Sequence, residues 1–538
     1  MKQARRVMWF VLSTVLLCAL LGGIYGRQVE ATAGNDDSDV KTSLNLFTRV
    51  YDVVEQNYAE PVDPDKAIYG PSNSNVGAIP GALRTLDPHS NFFDPRAFSA
   101  LREDQEGKYY GVGMSIMARP GKMGKLVTVV VAPIPGSPAF RAGLRPGDVV
   151  AKVDGKSTEG LGTAQVADML KGPKGTRVHI TVSREGTEQP LEFDITRDEI
   201  SQKSVEDGFL IRPGIAYIHV SKFNENTNDE LTDALKKVNE RGLQGLILDL
   251  RGNPGGLLQE AVEVSDHFLE KGQLIVYHYG RHSQEKRYSA TRGDNGNEYP
   301  IVVLINRMSA SAAEIVTGAL QDHDRALVMG EPSFGKGLVQ TVYPLSEHTG
   351  LALTTARYYT PSGRLIQRDY NKVSLYDYYY HPEHVTGNHS EVRLTDGGRE
   401  VYGGGGITPD VRVPEPNLTP TQDMLLQRGA FFNFGKYYLG VHKTISKDFQ
   451  VTDSVLDEFK QFLTKESITF SAKDMTDNLD FVKTRIRYQL VESIFGADEA
   501  AKISIENDPL VEKALASMPQ AKDLLDKAKR YIASKGQK

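Results

Sequence analysis

The sequence predicts a multidomain protein of α/β and β type, and three stretches of its 538 residues support this prediction. Between residues 214 and 345, apolar strand-like runs alternate with helical patterns, which is typical of an α/β core. Residues 109–197 contain alternating apolar residues separated by Gly-Pro turns, which indicates a small β-rich domain. Beyond about residue 417 the apolar residues recur at helical spacing, so a helical region follows the core.

The composition excludes several classes of protein. Hydrophobic residues make up 40% and charged residues 25%, which is ordinary for a globular chain and excludes a mostly disordered or fibrous one. Lys and Arg total 63 against 69 Asp and Glu, a net charge of −6. This balance brings no excess of cations to phosphates, so we expect no nucleic-acid partner. The only cysteine is Cys18, which leaves the rest of the chain without a disulfide, a thiol nucleophile or a cysteine-based zinc site.

The N-terminus has the pattern of an export signal. Three basic residues among the first six precede an almost continuously apolar run at residues 7–25. Residues 31–33, Ala-Thr-Ala, offer a cleavage site, but they lie rather far beyond the run, so an uncleaved membrane anchor is the alternative. Leu17 before Cys18 is too bulky for the usual lipid-attachment pattern. Residues 1–33 are therefore interpreted as a signal peptide or anchor that places the protein in the periplasm or on the outer face of the inner membrane.

A helical segment is expected at residues 34–108. A second short helix is predicted after Asp63, which can cap it, with Pro64 at its first position. Residues 71–75 read as a polar loop. The first helix is predicted from residues that recur at helical spacing, namely Phe47, Val50, Tyr51, Val54 and Tyr58.

Residues 109–197 resemble a PDZ domain. Tyr-Tyr-Gly-Val-Gly-Met at 109–114 precedes a strand, Asp154-Gly155 reads as a hairpin turn, and a short helix follows. Taken alone, the glycines could simply make turns. The resemblance implies that a peptide adds as a strand and that backbone amides hold its C-terminal carboxylate. The peptide-binding residues that it implies are Gly111, Val112, Gly113, Met114, Ile116, Val166 and Leu170.

A serine-rich turn is the first candidate for chemistry. Residues 306–315, Asn-Arg-Met-Ser-Ala-Ser-Ala-Ala-Glu-Ile, follow an apolar strand. A helix that starts near Ser311 would direct free N–H groups at developing negative charge, as an acyl-transfer site requires. The simpler alternative is that Ser309 or Ser311 only caps the helix.

A lysine in a glycine-rich segment is the second candidate. In a strand, Lys336 and Gln340 would point the same way. An apolar neighbourhood, which Phe334 and Leu338 could supply, would lower the pKa of Lys336 towards the value that a general base needs. A surface lysine beside a turn is the alternative.

The same segment, residues 330–340, also resembles a phosphate-binding loop. Gly337 stands where that loop needs Ser or Thr, and the residues that follow have strand character instead of helical character. Both features argue against nucleotide binding.

Residues 248–257, Leu-Asp-Leu-Arg-Gly-Asn-Pro-Gly-Gly-Leu, are the third candidate. The adjacent Gly255 and Gly256 can present a backbone N–H to an oxyanion, and the N–H of Ala312 would be the second donor. An ordinary strand-to-helix loop is the alternative.

In combination, these pieces resemble the carboxyl-terminal processing proteases, also called tail-specific proteases, over about residues 43–415. Residues 86–90, 360–364 and 406–410 match further motifs of the family. The resemblance implies that Ser311 is the nucleophile, Lys336 the base and Gln340 its support, with oxyanion amides at Ala312 and at Gly255 and Gly256. Ala313 stands where the family often has Ser, and residues 71–75 look like an insertion.

The resemblance thus implies an exported serine endopeptidase with a Ser/Lys dyad that cleaves substrates near their C-terminus. We expect an α/β serine-peptidase core at 198–416 between the PDZ domain and a C-terminal helical region at 417–538. No metal or cofactor is expected, and the partners are proteins or peptides with free C-termini. The sequence names neither the substrate, nor an adaptor protein, nor the size of any homo-oligomer.

Three other interpretations stay open at this point. A catalytically silent PDZ scaffold or adaptor of the cell envelope is one, although the intact Ser311, Lys336 and Gln340 argue against it. Ser-His-Asp catalysis and a zinc site are the others. The histidines available for them are His89, His267, His323 and His348 for the triad, and His381 and His384 for zinc.

Overall fold

The computed structural model describes residues 37–70, 76–121, 124–206, 208–294, 296–371, 373–380 and 391–535. The apolar run at 7–25 with Cys18, the cleavage site at 31–33, the loop at 71–75 and the pair His381 and His384 lie outside these residues. Among the helices in the described ranges, none is both long and apolar enough to span a membrane. The chain divides into two compact units, Met1–Gly81 and Ala82–Lys538.

The first unit contains the two helices that the sequence predicts. They are α1 (Asp37–Asn57) and α2 (Pro64–Tyr69). Asp63 caps α2, because its Oδ1 accepts hydrogen bonds from the N–H groups of Asp65 at 3.1 Å and Lys66 at 3.3 Å. Tyr58, predicted as part of the first helix, follows its last residue. A third helix, α3 (Ala78–Arg84), begins in this unit.

The second unit begins with elements that lead into the β-rich domain. They are β1 (Asn91–Phe93), α4 (Pro95–Glu106) and β2 (Lys108–Gly111). The domain then contains β3 (Met114–Pro120), β4 (Leu126–Pro133), α5 (Pro138–Ala142), β5 (Val149–Val153), β6 (Lys156–Ser157), α6 (Thr163–Leu170), β7 (Arg177–Ser183), β8 (Leu191–Thr196) and β9 (Asp198–Ser201).

An antiparallel sheet of order β3-β4-β5-β7-β8 forms this domain, with β6 paired to β5. Asp154 and Gly155 have φ angles of 49° and 75°, as a primed hairpin turn requires, so the predicted turn is confirmed. The chain enters and leaves the domain through one ribbon, because β2 pairs antiparallel with β9. The domain is therefore an insertion with a single two-stranded connection.

The core begins with β10 (Phe209–Arg212), β11 (Ile215–His219), α7 (Thr227–Lys237), β12 (Gly245–Asp249), α8 (Leu258–Asp266), β13 (Leu274–Gly280), β14 (Ser283–Ser289), β15 (Ile301–Ile305) and α9 (Ala312–Asp322). It continues with β16 (Ala326–Gly330), β17 (Leu338–Pro344), β18 (Gly350–Tyr359), α10 (Leu375–Tyr380), β19 (Val392–Leu394), β20 (Glu400–Tyr402) and β21 (Val411–Arg412).

The main sheet has the order β10-β11-β12-β15-β16-β21, and its strands are parallel except for β10. This confirms the predicted α/β core. The core also contains a second sheet, which is antiparallel. Its strand order is β1-β18-β13-β14, and β17 pairs with β18. Residues 371–406 are rich in Tyr, His and Gly, which predicts an irregular segment. This was wrong in part, because α10 and the hairpin of β19 and β20 lie there.

The C-terminal region is helical, as predicted. Its helices are α11 (Pro420–Gln427), α12 (Ala430–His442), α13 (Asp453–Lys465), α14 (Ala472–Asp477), α15 (Leu479–Phe495), α16 (Ala497–Glu506), α17 (Pro509–Ala516) and α18 (Met518–Lys535).

These helices have two structural roles. Helices α11 to α15 share a core of their own, centred on Phe434 and Phe459. Helices α17 and α18 instead cover one face of the main sheet, where Val511 and Met518 pack with Val302 and other strand residues. The opposite face of that sheet is covered by α7, α8 and α9. The end of the chain therefore completes the core as a three-layer structure.

Helix α12 also contacts the β-rich domain. The guanidinium of Arg119, on β3, lies 4.3 Å from the ring centroid of Phe432 and donates to Asn433 Oδ1 at 3.0 Å. Lys436 forms an ion pair with Glu185 at 2.7 Å. The inserted domain is thus held by α12 as well as by its ribbon.

Candidate active site

Ser311 lies at the turn into α9, as the sequence predicts. Its φ and ψ are 54° and −111°, a conformation that residues other than glycine rarely adopt and that costs of the order of 1–3 kcal/mol. Every residue of α9 is buried, so the surrounding helix is fixed by its packing. The hydroxyl-bearing residue is therefore held in a strained turn at the N-terminus of a buried helix.

Lys336 lies in a loop, and its predicted position within a strand is wrong. Strand β17 begins only at Leu338, because Gly335 has a φ of 89° and breaks the extended backbone. The predicted partnership with Gln340 is nevertheless present, since Lys336 Nζ donates to Gln340 Oε1 at 2.9 Å. A β-bulge between Val339 and Gln340 shifts the register of β17 on β18, and such a bulge can re-aim a side chain.

The carboxyl group of Glu314 joins the two segments. Its Oε2 accepts hydrogen bonds from the backbone N–H groups of Ser311 at 2.7 Å and Lys336 at 2.9 Å. Its Oε1 accepts from Ser333 Oγ at 2.5 Å and from the Gly335 N–H at 2.7 Å. Glu314 is fully buried, and burial raises its pKa while the donated hydrogen bonds act against that rise.

Tyr358, on β18, makes a second link between the same two segments. Its O–H donates to the carbonyl oxygens of Ser311, at 3.0 Å, and of Lys336, which share its single hydrogen. The side chain is 1% exposed, and burial raises its pKa, which keeps the phenol protonated as a donor. Glu314 therefore holds the N–H groups of Ser311 and Lys336, and Tyr358 holds their carbonyl groups.

Burial disfavours the charged form of Lys336. Burial lowers the pKa of Lys336 below its ordinary value of 10.5, whereas the charges of Glu314 and Asp87 act in the opposite direction. Burial is the largest of these contributions. Gln340 supports the amine without adding a charge that would raise its pKa.

The glycine pair lies directly against the serine turn. A Cβ on Gly255 would be 2.7 Å from the Cβ of Ser311 and 3.0 Å from the Ala312 nitrogen, so only glycine fits there. The Gly255 N–H already donates to Asn253 Oδ1 at 2.8 Å. Of the two glycines, Gly256 is therefore the one whose N–H shows no acceptor among the described residues.

The predicted peptide groove of the β-rich domain is closed in this structure. Its apolar residues do come together in one cluster, but Val166 and Leu170 are 0% and 4% exposed. At the far end of β3, the Ala118 N–H donates to Thr163 Oγ1 of α6 at 2.8 Å. A peptide that pairs along the whole of β3 would have to displace this bond.

Among the described residues, no hydrogen bond joins Ser311 to any of the candidate histidines, which are His89, His267, His323 and His348. His323 bonds through both ring nitrogens, to Asp396 and to the Leu274 carbonyl, and His267 bonds to Thr232 and Asn228. Burial lowers the pKa of His89 to about 4, with a further contribution from the Lys336 charge. Within the described ranges, no cluster of three or more His, Cys, Asp or Glu side chains could hold a metal ion.

The roles of Glu314 and Tyr358 emerge only from the structure. Glu314 had a detectable signal, because Ser-x-x-Glu at a helix start is the pattern of a capping box. Tyr358 had none, since its role depends on how the second sheet packs against the serine turn.

Three known family profiles match parts of the chain. The profile "Peptidase family S41" matches residues 214–373, "PDZ domain" matches 129–184, and "Probable PDZ-protease, C-terminal helical domain" matches 421–474. The chain is thus an α/β serine peptidase with an inserted PDZ domain.

Known relatives place the chain more narrowly. A carboxy-terminal-processing protease of Bartonella bacilliformis is 38% identical over 68% of this chain and 80% of its own. A carboxyl-terminal-processing protease of Synechocystis sp. is 40% identical over 53% and 66%. A solved photosystem II D1 C-terminal processing protease is 28% identical over 69% and 92%, with a TM-score of 0.34. The chain belongs to the carboxy-terminal processing proteases of peptidase family S41.

We expect Glu314→Gln to lower kcat by roughly 10²-fold, the loss that a misplacement of about 1 Å can cause. All the groups around Glu314 are donors, and the amide NH₂ of Gln would face two of them. Peptide hydrolysis and a thermal melt of the same preparation measure the effect. The exposed Glu270→Gln is the matched control, and an unchanged kcat in Glu314→Gln would contradict the role of this carboxyl group.

Proposed function

We propose that the protein cleaves protein substrates near their C-terminus, with Ser311 as nucleophile and Lys336 as general base. The observation that supports this most strongly is the pair of buried links, through Glu314 and Tyr358, between the two segments that carry these residues. A catalytically silent scaffold would not explain why the strained backbone of Ser311 is linked through Glu314 and Tyr358 to the backbone of a buried lysine.

The chemical steps follow from the side chains. Neutral Lys336 takes the proton of Ser311 Oγ, which attacks the substrate carbonyl and forms a tetrahedral intermediate. The N–H groups of Ala312 and Gly256 stabilise its oxyanion. Lys336 then gives the proton to the leaving amine, and water hydrolyses the acyl-enzyme with Lys336 again as base. Gln340 accepts one N–H of Lys336 throughout and so orients the amine.

Replacing either member of the dyad should abolish activity. We expect Ser311→Ala and Lys336→Ala each to lower kcat by at least about 10³-fold without unfolding the protein, because each removes a group that acts in the same step. Hydrolysis of a peptide with a free C-terminus, with circular dichroism as the folding control, measures this, and a chelator should have no effect. Full activity in Lys336→Ala together with loss in His89→Ala would assign the reaction to a Ser-His mechanism.

The pH profile should report the ionisation of Lys336. Only the neutral amine can accept the proton of Ser311, so kcat/KM falls as the pH drops through the pKa of Lys336 and is constant above it. Because burial lowers this pKa, we expect the midpoint below 10.5. Initial rates across pH, corrected for stability at each pH, give the midpoint. A midpoint at or above 10.5 would contradict a desolvated general base.

We further propose that the PDZ domain reads the free C-terminus of the substrate. The amides of residues 111–114 would hold the carboxylate, and Met114, Ile116, Val166 and Leu170 would surround an apolar last side chain. These residues are packed together, and Thr163 Oγ1 already accepts the hydrogen bond of the Ala118 N–H. Binding of a peptide therefore requires the groove to open. The ribbon of β2 and β9 connects this domain to the core. A movement that opens the groove could therefore be transmitted through the ribbon to the catalytic core.

A matched pair of peptides tests this reading of C-termini. A peptide with a free apolar C-terminus should be cut with a higher kcat/KM than its C-terminally amidated twin, because amidation removes the charge that the loop amides bind. Thr163→Val removes the acceptor that closes the groove and should lower KM for the free peptide. Equal kcat/KM for the two peptides would contradict carboxylate recognition.

We propose that the protein acts outside the cytoplasm, in the periplasm or on the outer face of the membrane. The basic start and the apolar run at residues 7–25 support this. Fractionation of the native protein tests it, and recovery of the full-length chain from the cytoplasm would contradict it.

A further inference from the structure

The turn Asp87-Pro88-His89-Ser90 contacts Gln340, the hydrogen-bond partner of Lys336, through its backbone. Gln340 Nε2 donates a hydrogen bond to the carbonyl oxygen of His89. An amide nitrogen can only donate and an amide oxygen can only accept, so this bond decides which end of Gln340 faces the lysine. With Nε2 held by His89, the oxygen Oε1 faces Lys336 Nζ.

Asp87 holds this turn in shape. Its Oδ1 accepts from the N–H groups of His89 and Ser90, both at 2.7 Å, and its Oδ2 accepts from Ser90 Oγ at 2.7 Å. Asp87 is 7% exposed. Because both oxygens bind groups of the turn, the Asp87 side chain fixes the backbone of the turn from within and so helps to set the position of the His89 carbonyl.

The turn is also fixed to its surroundings on two sides. Ser90 Oγ accepts from the Thr354 N–H at 3.1 Å, and Thr354 is the residue of β18 that pairs with Gln340 of β17. From α10, Tyr378 bonds through its hydroxyl to His89 Nε2 at 2.9 Å, and Tyr379 donates to the Pro88 carbonyl at 2.7 Å. The turn therefore has a fixed place against the strand pair that carries Gln340.

We propose that Asp87 is a positioning residue for catalysis, which acts through the His89 carbonyl to orient Gln340 and through Gln340 to orient the amine of Lys336. This inference rests on the proposed Ser/Lys chemistry. Without the turn, the amide of Gln340 could rotate and present its NH₂ to Lys336, where it would donate to the lone pair of the neutral amine and so occupy the lone pair that has to accept the proton of Ser311.

A double-mutant cycle tests the inference with Asp87→Ala, Gln340→Ala and the double variant. We expect Asp87→Ala to lower kcat by about 10- to 100-fold with little change in KM, since orientation at the reacting atoms is lost and not peptide binding. Because Asp87 acts through Gln340, the double variant should be no slower than Gln340→Ala alone. Asp87→Asn keeps an acceptor for the two N–H groups and should retain most of the activity. It is the variant to measure if Asp87→Ala does not fold.

The control is Asp94→Ala, which removes a similar acceptor in the same region. Asp94 Oδ1 accepts from the Ala97 N–H at 2.7 Å as the cap of α4, and its loss should cost stability without changing kcat. Additive losses in the double variant, an unchanged kcat in Asp87→Ala, or an equal loss in Asp94→Ala would overturn the inference. These outcomes differ from a failure of the Ser/Lys chemistry itself, in which Lys336→Ala would stay active.

Discussion

The buried carboxyl group of Glu314 is the interaction on which the geometry of the site depends. A buried carboxyl is costly unless its oxygens are hydrogen-bonded, and here the four donors come from the serine turn and from the loop of Lys336. Loss of any donor would leave the carboxyl partly unsatisfied. The cost of burying Glu314 therefore enforces the approach of two segments that are 25 residues apart.

This link also joins the two sheets of the core. Ser311 follows β15 of the main sheet, and Lys336 lies between β16 of that sheet and β17 of the second one. Tyr358 reaches the same two residues from β18 of the second sheet. The strained backbone of Ser311 persists because packing of α9 on one side and these polar links on the other leave it no alternative.

Much of this arrangement could be predicted from the sequence. The strand Ile301–Ile305, the hairpin turn at Asp154, the cap at Asp63 and the helix after Ser311 have local signals in period, turn chemistry or capping, and the structure contains all of them. The pairing of Lys336 with Gln340 was also predicted, although from a strand geometry that Gly335 interrupts.

The remainder depends on contacts between distant segments. Tyr358 and the His89 carbonyl gain their roles only when β18 and the turn at residues 87–90 pack against the site, and no local pattern specifies that packing. The sequence does not tell which of Gly255 and Gly256 has an unused N–H group. The structure does, because the Gly255 N–H donates to Asn253 Oδ1. The sequence of α10 has no local helical signal, and the segment is therefore predicted as irregular. Its tyrosines are fixed by tertiary contacts, such as that of Tyr378 with His89.

The most direct test of the account is to locate the residue that becomes acylated. The protein is incubated with a serine-directed phosphonate, and the adduct is mapped by peptide mass spectrometry in the native sequence and in Lys336→Ala. The account predicts a single adduct on Ser311, formed much more slowly in Lys336→Ala. An adduct on Ser309, Ser333 or another serine, or labelling of Ser311 at the same rate without Lys336, would contradict it.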